Sequence, residues 1–82
     1  MSCVEESIDV AQTLNCIGNV YQNKGDYAKA LEHYNKSLEI RTKIKGADSI
    51  DVAQTLNNIG NLYQNKGDYA KALENYNKCL EI

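Results

Sequence analysis

The chain has 82 residues, a formal net charge of −2 at pH 7, 24% charged residues and no proline. That length allows one small domain with a marginal core, the slight acidity leaves no electrostatic footprint for nucleic acid or an anionic membrane, and no apolar run suggests a transmembrane helix or signal peptide. The three cysteines, Cys3, Cys16 and Cys79, are an odd, scattered set that indicates neither a disulfide framework nor a zinc site, so a reducing, cytoplasmic setting without cofactor or metal is expected.

Residues 1–6 form a short leader. "SIDVAQTLNCIG" then opens at Ser7 and "SIDVAQTLNNIG" at Ser49, so the separation of these two serines sets a period of 42 residues. Within the aligned segments the copies differ only at Cys16 against Asn58, Val20 against Leu62, His33 against Asn75, and Ser37 against Cys79. The units are residues 7–48 and 49–82. Duplication at such a period marks a solenoid, in which each unit stacks on the next because it cannot bury its apolar face alone.

Each unit reads as two helices. Val10, Leu14, Ile17 and Tyr21 recur at helical spacing, with Gly18 on the same side. Helix A is therefore predicted over about 8–24, with Ser7 as N-cap and Asp9 near the positive end of the helix dipole. In "NKGD", Gly25 stops that helix and Asp26 caps the next. Helix B is predicted over about 27–45, with Ala30, Leu31, Tyr34 and Leu38 on one face and the i,i+4 pairs Glu32–Lys36 and Glu39–Lys43 on the other. Gly46 ends it. The second unit repeats the scheme with Ser49, Asp51, Gly67 and Asp68, giving helix A at about 50–66 and helix B at about 69–82, the latter cut short of its counterpart. Short connectors require antiparallel neighbours, so the fold class is all-α, with helix hairpins stacked as a right-handed α-solenoid.

In order along the second unit stand Leu56, Ile59 and Gly60, Tyr63, Gly67 to Tyr69, Ala72 and Tyr76. The first carries Leu14, Ile17 and Gly18, Tyr21, Gly25 to Tyr27, Ala30 and Tyr34 at matching places. This pattern resembles the tetratricopeptide repeat. The usual form has a period of about 34 residues, whereas here the period is longer and no proline follows helix B. The phrase "EIRTKIKGADSIDVAQTLNNIG" is similar to the long repeats of kinesin light chains. HEAT and armadillo repeats share a longer period, but their prolines and signatures are missing.

The resemblance implies a protein–protein interaction module that binds extended peptide segments of partners on a concave surface lined by helix A. With the apolar face of helix A packed, the opposing arc holds Gln12, Asn15, Asn19, Gln22 and Asn23, repeated as Gln54, Asn57, Asn61, Gln64 and Asn65. Amides carry both donor and acceptor and can hold a peptide backbone without demanding charge. The arc resembles the asparagine ladder of peptide-binding relatives, and its lack of Lys or Arg argues against a carboxylate clamp. The alternative is a self-associating structural or designed unit. Bare apolar repeat ends would stack head to tail or exchange elements into a homo-oligomer.

Single residues suggest little catalysis, and no nucleophile, histidine and acid constellation or phosphate loop occurs. His33, replaced by Asn in the copy, reads as a solvated helix B position. Cys16 reads as a partly buried neutral thiol, and Cys79, aligned with Ser37, as a packing residue. Cys3 and Cys79 are the candidates for an intermolecular disulfide. The tyrosine series Tyr21, Tyr27, Tyr34, Tyr63, Tyr69 and Tyr76 reads as core.

Overall fold

A computed structural model of the chain describes residues 8–82 as four helices, α1 (Ile8–Lys24), α2 (Tyr27–Lys45), α3 (Ile50–Lys66) and α4 (Tyr69–Leu80). Ser7 and Cys3 lie outside the described residues. Local chemistry sets the helix limits. Ser49 has extended backbone, and its hydroxyl accepts the Val52 N–H at 3.3 Å to open α3. Asp26 and Asp68 accept the N–H groups of Lys29 and Lys71 at 3.2 and 3.3 Å, opening α2 and α4. At the end of α3, Gly67 turns left-handed with φ 92°, its N–H donates to the Gln64 carbonyl, and the Asp68 N–H donates back to the Tyr63 carbonyl at 2.8 Å. α4 stops at Leu80 rather than at 82, with the Glu81 N–H donating to the Asn77 carbonyl.

α1 packs on α2 and α3 on α4, and the two hairpins meet chiefly through α2 against α3. The Cα atoms fill a slab of 40 × 30 × 12 Å. Ala30 and Tyr34 from α2 join Ile59 and Leu62 from α3 in the central cluster, against which Leu31 and Leu38 also pack. Leu62 is wholly buried, whereas Val20, its counterpart in α1, is 57% exposed. Full burial of such a side chain is worth about 2 kcal/mol, so the same helix position helps hold the stack in one copy and faces solvent in the other.

The tyrosines do not form one core. Tyr34 is fully buried, Tyr69 is 64% exposed, and Tyr21, Tyr27, Tyr63 and Tyr76 are half-buried. The second hairpin covers α2 and thereby closes over Tyr34, while α4 has no such cover. Tyr21 and Tyr63 instead pack beside lysines, with the Lys29 and Lys71 ammonium groups each 5.6 Å from the respective ring centroid.

Candidate functional site

The ten amides of the helix A arc fall into distinct environments. Gln12, Asn19 and Asn23 of α1 are exposed, Gln22 is half-buried, and Asn15 is buried with its Oδ1 lacking any hydrogen-bond partner. On α3, Gln54, Asn57, Asn61, Gln64 and Asn65 are all exposed. Asn15 and Asn57 occupy the same place in their repeats. Only the first of the two is buried.

Four of the arc amides are held from below by helix B tyrosines. Tyr34 Oη lies 2.5 Å from Asn19 Oδ1 and 2.8 Å from Gln22 Oε1. Tyr76 repeats the arrangement, bonding Asn61 Oδ1 and Gln64 Oε1. Both rings reach this position because the helices cross over glycine. A Cβ at Gly18 or Gly60 would come within 2.6 Å of Tyr34 Cε1 or Tyr76 Cε1, respectively. Burial pushes the Tyr34 hydroxyl pKa up from its ordinary value of 10.0, because desolvation disfavours the phenolate.

The arc itself carries no Lys or Arg, but a cation from helix B reaches one of its amides. Arg41, near the end of α2, is 1% exposed. Its Nη1 donates to the Asp51 carbonyl at 3.0 Å and to Thr55 Oγ1 at 2.9 Å on α3, and its Nη2 donates to Gln12 Oε1 at 2.9 Å on α1. Nε has no partner. One side chain therefore ties both A helices to α2. In sequence, Arg41 begins the basic run "RTKIK" near the end of helix B and has no role assigned to it. The available signal was its place seven residues after the buried Tyr34, on the packed face of α2.

Other expectations shift in detail. His33 is half-buried rather than solvated. Its ring stacks on Tyr21 with centroids 5.4 Å apart, and its Nδ1–H donates to the Lys29 carbonyl at 2.8 Å. Asn75 in the copy makes the corresponding bond, from Nδ2 to the Lys71 carbonyl at 2.9 Å. Cys16 is exposed, not partly buried. Cys79 is half-buried, and its Sγ–H donates to the Ala53 carbonyl at 3.4 Å, as Ser37 Oγ–H does to the Ala11 carbonyl at 2.9 Å. Among the described residues, no group of three or more His, Cys, Asp or Glu could hold a metal ion, and no helix is long and apolar enough to cross a membrane.

Helix hairpins of near-identical sequence, stacked so that α3 of one covers α2 of the other, define an α-helical repeat protein of the solenoid class. The match of the family description "Tetratricopeptide repeat" over residues 9–82 narrows that class, and the chain belongs to the tetratricopeptide repeat family. Members of that family commonly mediate protein–protein interaction, typically as scaffolds without enzymatic activity. No curated protein matches the chain.

Proposed function

We propose that the chain binds an extended peptide segment of a partner protein along the concave surface shared by α1 and α3. The observation that carries this reading is the duplicated, anchored amide set. Asn19 and Gln22 on α1, and Asn61 and Gln64 on α3, sit at equivalent places and are each tied to a tyrosine hydroxyl. Anchored side chains lose less rotamer freedom when a ligand arrives, which favours binding. Arg41 adds a positive charge beneath the same surface with no carboxylate among its hydrogen-bond partners, and this favours carbonyl-rich or acidic segments over basic ones. Asn15, being buried, belongs to the packing and not to the binding surface.

The test is selection of displayed dodecapeptides on the chain, followed by titration of enriched peptides against the parent and an Asn19→Ala, Asn61→Ala variant. Loss of two hydrogen bonds should weaken binding about tenfold or more. Equal binding by both proteins would remove the amide surface from the reading.

A second reading, head-to-tail stacking of copies of this chain, draws on a separate observation. Tyr69, Leu73 and Leu80 of α4 are 64%, 61% and 83% exposed, while their counterparts Tyr27, Leu31 and Leu38 pack against the central cluster. The helix that covers those counterparts is α3, which differs from α1 only at Asn58 and Leu62. A second copy's α1 is thus nearly the same cover, and it carries the exposed Val20 where α3 carries Leu62. Light scattering under reductant should show mass rising with concentration, and Leu73→Glu should abolish the rise. A monomer at every concentration would overturn stacking.

A further inference from the structure

The hydrogen bonds beneath the amide arc have a proton count that constrains what the arc presents. A tyrosine hydroxyl has one proton and two lone pairs. Tyr34 Oη nevertheless has two amide oxygens within bonding distance, at 2.5 and 2.8 Å, and Tyr76 has the same two partners in the second repeat. One proton cannot serve both oxygens, and the second would face a lone pair. Turning one of the two amides about its terminal torsion exchanges groups of nearly equal size and removes the conflict. Its NH2 then donates to the hydroxyl oxygen, and the hydroxyl donates to the other amide's oxygen.

We infer that Tyr34 and Tyr76 are positioning residues that set Asn19 with Gln22, and Asn61 with Gln64, in opposite orientations, so that each repeat offers one outward NH2 donor beside one outward C=O acceptor to a peptide main chain. The amide whose oxygen meets the hydroxyl turns its NH2 outward, and its neighbour turns its carbonyl outward. The two belong to residues three apart on a helix, with Cβ atoms about 5–6 Å apart. In an extended strand the N–H and C=O of one residue point to the same edge and bond a partner together. Each pair therefore suits one residue of an extended peptide, with its N–H to the outward carbonyl and its C=O to the outward NH2. This inference rests on the peptide-binding reading and deepens it. Recognition is of backbone, needs no ligand charge, and rejects an N-methylated or proline residue at the gripped position, where the N–H is absent.

The experiment follows the side-chain NH2 resonances of Asn19, Gln22, Asn61 and Gln64 by NMR in the 82-residue chain. The probes are N-methylacetamide, which has one donor and one acceptor, and N,N-dimethylacetamide, which has only the acceptor. Tyr34→Phe and Tyr76→Phe keep each ring on its glycine and delete the hydroxyl. N-methylacetamide should shift both pairs of the parent, and more than N,N-dimethylacetamide does. Tyr34→Phe should reduce the response of Asn19 and Gln22 about fivefold, the scale of one lost hydrogen bond, while the Asn61 and Gln64 response stays unchanged. Tyr76→Phe should do the reverse. It also carries the test alone if Tyr34→Phe fails to fold, because Tyr76 is only half-buried. Undiminished responses in the folded variants would overturn the positioning role and leave the peptide reading standing. An arc that responds to neither probe, together with no enriched dodecapeptide, would overturn both.

Discussion

Tyr34 and Gly18 are in such close approach that a Cβ on residue 18 would stand 2.6 Å from Tyr34 Cε1 and 2.7 Å from Cδ1. Tyr34 is 0% exposed, closed in by Ile59 and Leu62 of the second hairpin. The ring therefore has nowhere to swing. The duplicate contact between Gly60 and Tyr76 has the same spacing, but Tyr76 is half-buried.

Gly18→Ala and Gly60→Ala should consequently differ in effect despite their identical local sequence. Alanine in a helix interior gains about 1 kcal/mol over glycine, and overpacking a fixed neighbour costs about 1–3 kcal/mol. At residue 18 the fixed ring puts the clash at the upper end of that range, with net destabilisation of up to about 2 kcal/mol. At residue 60 the ring can move outward, and the change should be near neutral. Urea denaturation of both variants checks the contrast.

Arg41→Ala should cost about 2–4 kcal/mol, since it strips a charged donor from Gln12, Thr55 and the Asp51 carbonyl at once. Arg41→Met should cost less, because it fills the volume and removes the desolvation penalty of an unpaired charge. Arg41→Lys should not rescue, since an ammonium lacks the planar fork that reaches α1 and α3 together. Thermal unfolding of the three variants gives the order.

Cys79→Ser should stabilise the second hairpin by up to about 1 kcal/mol. The hydroxyl is a stronger donor than the thiol and would meet the Ala53 carbonyl as Ser37 meets that of Ala11, at 2.9 Å instead of 3.4 Å. The converse, Ser37→Cys, should weaken the first hairpin, and denaturant midpoints of both variants measure the difference.

Alkaline pH should weaken the fold through Tyr34. Its hydroxyl titrates above the ordinary 10.0 in the folded chain, because burial disfavours the phenolate. Above about 10 the unfolded chain loses this proton while the folded chain retains it, so stability is intact below that pH and falls as pH rises toward the folded value. Tyr34→Phe should flatten that part of the stability profile, which denaturation between neutral and strongly alkaline pH would reveal.

The amide arc was legible in sequence as a set of residue types at helical spacing, but not as a set of environments. Asn15 and Asn57 read alike, yet the first is buried and the second exposed. Arg41 was unreadable as a neighbour of the arc because it arrives from helix B, and periodicity along helix A carries no information about a side chain crossing from another helix.

The sequence by itself determined the four helices, their antiparallel pairing and the duplication. Caps such as Ser49, Asp26 and Asp68, glycine stops and apolar spacing act over a few residues and need no distant partner. Only the tertiary structure decided which copy of each repeated residue becomes core. Leu62 and Tyr34 are sealed while Val20 and Leu73 stay open, because burial depends on whether another hairpin lies on that face, and near-identical sequences cannot differ in that respect until they are stacked.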